Sequence, residues 1–480
     1  MKSLKMNAAL NMIKTCSSII FPLITFPYIS RVLMPENIGK INFGSAYVSY
    51  FALLAGLGIS TYAIRECAKV RDDRDKINDI ASQIYSINII TTAIAYAFLF
   101  ISLYCFQGLE YYRELIMIQC TVILFTTLGA DWINTAFEDF AYITIRTVVF
   151  QVISLILMFA FVREADDYLV YACIVVLSGC GSNIVNIIYR RRFCNLSFTI
   201  SIEWKKHLAP IGWLFGLMLS QTILTSADVT MLGVYVSDYA VGIYTTAAKI
   251  ANIINQLVAS LLFVLLPRLS YMFAESDYSK INPFLNRVLE YFLLLGIPIA
   301  ISVILFADDY IIVLAGDAFL DSVLVLKVLM ISFLCSLVGG SFLGNMVLLS
   351  SGREKMFTII LFVITFINVV VNYWVIPIYG AVGAASSTAL VSFIMLVLLI
   401  LTKDKRIEMN GIFRMMIYPC IASAIFALYG GWCRNIEDVF FRAVIETLGS
   451  GLIYIVILNC FGNSIIKEVI ISVKKKVNRI

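Results

Sequence analysis

Histidine is almost missing from this sequence: His207 is the only one. That excludes a histidine-rich metal centre. Charge is scarce as well, at 14% of residues, against about a quarter in soluble domains. No GxxxxGK[ST] loop is present, so no P-loop nucleotide site is expected. There is also no nucleophile elbow, no HExxH and no dinucleotide fingerprint. The chain is therefore not expected to be an enzyme, and no cofactor or metal is expected. Cysteine is not lacking, but none of the eleven form a CxxC pair. Most, such as Cys16, Cys120, Cys173, Cys180 and Cys335, lie inside apolar runs, where a free thiol is a small hydrophobe. Cys105 and Cys433 approach the expected outer face and are read as unpaired.

What is present is apolar surface. Hydrophobic residues make up 61% of the 480. A soluble chain must still clothe itself in polar groups, so most of this surface faces a solvent other than water. The apolar runs are continuous and do not alternate with a period of two, which predicts helices and not barrel strands. Measured against the roughly 20 residues that cross a bilayer, spans fall near 8–33, 41–64, 81–106, 114–137, 140–162, 168–189, 208–234, 240–266, 284–306, 322–350, 356–376, 380–402, 412–431 and 443–464. The fold class is an all-α polytopic membrane protein of about fourteen spans. The first run is too long for a signal h-region and lacks an A-x-A-like cleavage site. No loop exceeds about 20 residues, so neither face has room for a soluble catalytic domain.

Loop charge sets the expected orientation. With the N-terminus in the cytoplasm, the inner loops and tails collect about 26 basic residues and the outer loops about six, in keeping with the positive-inside rule. Both termini are then cytoplasmic. The longest inner connection, Arg190–Lys206, reads as a linker, with Glu203, Trp204 and Lys205 suited to a short interfacial helix. The expected organisation is an N-terminal lobe over 1–192, a linker over 193–207, a second lobe over 208–405, and two extra helices with a basic tail over 406–480. An internal repeat supports two lobes: Gly39 and Gly242 stand 203 residues apart, as do Arg65 and Arg268. Same-orientation repeats flank a substrate path in many transporters.

Charges at bilayer depth are costly and usually functional. The candidates are Lys14, Arg31, Asp131, Glu138, Arg146, Asp228, Lys249, Glu290, Lys327 and Glu446. Lys14 and Lys249 suit a cavity that meets an anion, although snorkelling to a headgroup is the plainer reading. Asp228 is either a structural ion partner or a protonatable switch. Asp131, Glu138 and Arg146 suit a salt-bridged hairpin at the surface or a gate that breaks on opening. Lys327 reads as interfacial. Pro22 and Pro27 lie within the first span and Pro298 within the ninth, where they free carbonyls and bend the helix.

Several stretches resemble a known family: FPYISRVLMPENIGKINF (26–43), GLGISTYAIRECAKVRDD (56–73), ADWINTAFEDFAYITIR (130–146), ADVTMLGVYVSDYAVGIYTTAAKI (227–250), LLSSGREK (348–355) and INVVVNYWVIPIYGAVGAASSTAL (367–390). The chain is similar to the Wzx-type oligosaccharide flippases of polysaccharide biosynthesis, within the MOP exporter superfamily. The resemblance implies two six-helix lobes in a V, plus two C-terminal helices. It implies a substrate of undecaprenyl-diphosphate-linked oligosaccharide, moved to the outer leaflet of the cell inner membrane for O-antigen, capsule or exopolysaccharide assembly. It implies cavity cations, which suits Lys14, Arg31 and Lys249 by position; Asp228, Tyr28 and Tyr244, in or near the same helices, are read as cavity residues beside them. Asp131, Glu138, Arg146, Arg65 and Arg268 are the expected gating residues. Coupling to protons or another cation, and partnership with a polysaccharide polymerase and a chain-length regulator, are further expectations. The alternative reading is a cation-coupled MATE-like exporter of small molecules.

Overall fold

In a computed structural model of the chain, residues 4–275, 277–409 and 411–460 are described. Among them no strand occurs. In chain order the helices are α1 (Leu4–Gly56), α2 (Ile59–Lys69), α3 (Arg74–Cys105), α4 (Arg113–Gly129), α5 (Trp132–Ala136), α6 (Phe140–Phe161), α7 (Tyr168–Tyr189), α8 (Trp204–Tyr235), α9 (Asp238–Glu275), α10 (Tyr278–Leu305), α11 (Ala307–Leu314), α12 (Ser322–Ser336), α13 (Glu354–Thr402), α14 (Ile412–Cys433) and α15 (Val439–Cys460). A π-helical stretch, Leu337–Leu348, continues α12. Ten helical segments among the described residues are long and apolar enough to cross a membrane. Their flanks carry exposed apolar stripes, such as Ile145, Val149, Val152, Ile156 and Phe159 on α6. A helical-period stripe of that length is a lipid-facing surface, too apolar for water. The protein is a multi-pass membrane protein.

Helix breaks follow local chemistry. α1 contains two spans merged across Met34, whose φ of 63° is left-handed, immediately before Pro35. Proline cannot donate to the preceding turn and drives its predecessor out of the helical region. α13 likewise merges two spans across Gly380, at φ 56°, three residues after Pro377. Between α4 and α6, Ala130 and Glu138 both take positive φ, leaving only the five-residue α5 between them. The spans read from the sequence at 114–137 and 140–162 assign these five residues to the first of them, whereas they form a separate short helix. One local expectation is corrected: Trp204 does not open a separate interfacial helix but is the first residue of the 32-residue α8.

The chain divides into two compact units, Met1–Gly242 and Ile243–Ile480. The sequence puts a linker at 193–207, whereas packing draws the boundary at Gly242, because α8 lies against α1 and α2. In the first unit α4 packs on α7 and α1 packs on α3, α4 and α8. Ile59, Tyr62, Ile77, Ile84, Trp132 and Ile211 are among the residues of one buried cluster. In the second unit α12 packs on α13, α10 on α14, and α14 on α15. Phe306, Phe426 and Tyr454 help to anchor the C-terminal pair to α10.

Candidate functional site

In the first unit, the seam between α1 and α8 is polar. Ser49 Oγ lies 3.0 Å from Ser226 Oγ, and Tyr50 Oη lies 3.1 Å from Thr230 Oγ1. Asp228, close to Tyr50, is 2% exposed. Buried hydroxyls and a carboxylate in an apolar setting are retained where they hold one another or a ligand. Of this group the sequence singled out Asp228 and not the hydroxyls. The signal was there in the spacing of Ser226 and Thr230, which are one turn apart.

Near this seam two glycines make a close crossing. A Cβ on Gly39 would strike the carbonyl oxygen of Asp238, and one on Gly242 would strike that of Pro35. Asp238 and Pro35 are also 203 residues apart, so the two contacts are reciprocal under the internal repeat. Only glycine lets backbones approach this closely. The Asp238 carboxylate accepts from Tyr112 Oη at 2.7 Å, which ties the start of α9 to the short helical turn before α4.

The remaining expected cavity residues are distributed as follows. Lys14 lies on α1, but its side chain is outside the described residues, as is the basic tail. Tyr28 donates its hydroxyl to Val162 O at 2.8 Å and meets Phe159 edge-on. Arg31 is exposed, with Nη1 donating to Pro27 O at 2.6 Å. Tyr244 is 6% exposed, and Lys249 is half-buried on α9.

The expected gating residues form three ion pairs, differently matched than spacing suggested. Arg146, 4% exposed at its side chain, reaches Asp131 at 2.5 Å across the α5 break. Its Nε and Nη1 have no hydrogen-bond partner, and its guanidinium lies over the Tyr142 ring. Glu138 pairs with Arg71 at 3.0 Å. Glu138 and Arg146 share a helix side by spacing, but the positive φ at Glu138 ends that register. Arg65 binds Glu66 at 3.1 Å and lies over Tyr62. Arg268 lies over Phe284. Beyond the spans, Lys76 hydrogen-bonds Asp73 and Arg406 hydrogen-bonds Asp404, holding both carboxyls below the usual range. Those pairs hold at neutral pH and are lost as the pH falls through the lowered carboxyl range.

Sequence reasoning missed the role of His207. It is fully buried: its Nδ1 lies 2.8 Å from Tyr62 Oη and its Nε2 lies 3.2 Å from Gln83 Oε1. The Gln83 amide oxygen can only accept, so Nε2 carries the proton and Nδ1 accepts from Tyr62. The same oxygen accepts from Glu203 N at 3.0 Å. The segment before α8 is strapped to α3 by further polar side chains, with Ser197 N donating to Ser82 Oγ and Thr199 N to Ser86 Oγ. Cys105 and Cys433 are both free thiols.

Helices in this order, with breaks at Met34 and Gly380, recur in solved membrane-protein structures. The backbone resembles that of "Lipid II flippase MurJ, inward closed conformation", with a TM-score of 0.77 and 14% identity over 96% of this chain and 99% of that one. An inward-facing multidrug MATE transporter of the MOP superfamily follows at a TM-score of 0.60 and 16% identity, covering 79% of this chain and 92% of the other. The family described as "Polysaccharide biosynthesis protein" matches residues 4–273, and the MatE family matches residues 214–374. The chain belongs to the polysaccharide biosynthesis protein family, within the MOP-type transporters. Among its relatives, the "Putative O-antigen transporter" of Escherichia coli (strain K12) is 22% identical over 80% of this chain and 92% of its own length. The "Capsular polysaccharide biosynthesis protein CapF" of Staphylococcus aureus is 20% identical over 77% and 91%.

Proposed function

We propose that this protein flips a lipid-linked oligosaccharide across the cell inner membrane. The substrate in this reading is an undecaprenyl-diphosphate-linked repeat unit moving from the cytoplasmic to the outer leaflet. The observation that carries the proposal is coverage. The polysaccharide family accounts for more than half of the chain, and the lipid II flippase fold extends over 96% of it. The MATE fold leaves about a fifth unmatched, which disfavours the small-molecule exporter.

The physical task agrees with this reading. A diphosphate cannot cross hydrocarbon unaided, and fixed cations lower that barrier. Lys14, Arg31 and Lys249 are proposed to hold the diphosphate. Asp228, Tyr28 and Tyr244 are proposed to border the sugar's path. Asp131, Glu138, Arg146, Arg65 and Arg268 are proposed to make and break during alternating access, driven by protons or another cation. Both termini are proposed to be cytoplasmic, and a polymerase with a chain-length regulator would take the product.

The test is gene deletion followed by identification of the lipid-linked intermediates in the cell, with purified protein in liposomes as its complement. Accumulation of a diphosphate-linked oligosaccharide in the inner leaflet, and its appearance outside reconstituted vesicles, is the expected result. Unchanged intermediates together with lost efflux of small cations would replace this reading with the exporter.

A further inference from the structure

The second unit holds a buried charge cluster that the proposed substrate path does not use. α11 and α15 meet there. Asp309 on α11 is 8% exposed and Glu446 on α15 is 1% exposed. Arg442, one turn before Glu446, donates Nε and Nη2 to the two oxygens of Asp309 at 2.9 and 2.5 Å. Its Nη1 donates to Ile436 O at 3.0 Å. The guanidinium fork is thus committed to Asp309. Glu446 lies within hydrogen-bonding contact of Asp309, yet its Oε2 is buried and has no partner.

Among the described residues the surroundings do not supply a second buried cation. From α11, Tyr310 faces the cluster, its hydroxyl 3.0 Å from Thr447 Oγ1 and 3.3 Å from Ser302 Oγ. From α14 come Tyr429, which donates to Ile445 O, and the thiol Cys433. Arg434 stands exposed at the end of α14, where water screens its charge. Two touching carboxyls with one committed guanidinium are one positive charge short. A buried carboxylate with a free oxygen is costly, and two carboxyls in contact cannot both ionise cheaply.

We propose that Glu446 and Asp309 form a proton-binding pair, with Arg442 as counter-ion. The proton resides on Glu446 and bridges to Asp309. When it leaves, Arg442 is shared between both carboxylates, which loosens the clasp between α11 and α15. This rests on the fold alone and not on the flippase reading.

The experiment uses the full-length protein in detergent micelles, a hydrophobic carbodiimide as probe, and peptide mass spectrometry. A protonated carboxyl gives its proton to a carbodiimide nitrogen while its oxygen bonds the central carbon. The adduct rearranges to a stable acylurea with no leaving group. The expected result is an adduct on Glu446 in mildly acidic buffer. It should fall about tenfold per pH unit once the proton is lost, and it should be absent in Glu446→Gln. Should that variant fail to insert, the pH dependence of wild-type labelling decides alone. The proposal is overturned by labelling of other carboxyls without Glu446, by labelling of Glu446 that ignores pH, or by protection with sodium at constant pH.

Discussion

At the scale of single residues, burial decides which charges matter. Arg146 has almost no exposure and one carboxylate partner. Removing one member of a buried pair strands the other, at about 3–5 kcal/mol. Asp131 is a third exposed, so Arg146→Ala should cost about 3 kcal/mol, near the low end of that range. A drop in unfolding temperature of the detergent-solubilised protein would register it, and Arg71→Ala, at a more exposed pair, should move it far less. Tyr62→Phe leaves His207 Nδ1 buried without its donor, for about 1–3 kcal/mol. The same melting assay checks this, and an unchanged value would show that water replaces the hydroxyl. Lys249 is proposed to serve function and not stability. Lys249→Ala should lower surface polysaccharide several-fold while membrane protein abundance stays constant. Full complementation of a flippase-null strain would remove it from the path.

At the scale of helices, close approach separates one glycine from another. Gly39 and Gly242 have backbone oxygens where a methyl would go, whereas Gly179, inside α7, has open space. Gly39→Ala and Gly242→Ala should each cost about 1–3 kcal/mol through forced displacement. Gly179→Ala should stabilise by up to about 1 kcal/mol, because alanine is the better helix former. Melting temperatures of the three variants must therefore move in opposite directions. Equal shifts would mean that the α1–α9 crossing opens at no cost. The internal repeat exposed these two glycines in the sequence, but not that each sits on the other's chain.

At the scale of the whole molecule, loop charge governs topology. Ser279, in the first turn of α10, lies at an end of that helix expected to be cytoplasmic. A Ser279→Cys protein whose other cysteines are replaced should react with an impermeant maleimide only after the inner face is opened. Reaction in intact cells would invert the proposed orientation.

Much of the architecture was legible because hydropathy along the chain measures the bilayer directly: long apolar runs had to become helices, although the breaks fall at Met34 and Gly380 and not at the prolines singled out within the spans. The family was legible through short motifs, two of which, 26–43 and 367–390, span those breaks. The partners of each charge were not. Arg146 chose Asp131 over Glu138 because one left-handed residue turned the helix register, and the buried Glu446 oxygen became visible only when α11 met α15. Sequence alone determined what must leave water, through solvation, which each residue carries with it. Tertiary structure decided which buried polar group meets which, because that depends on distances between residues far apart in the chain.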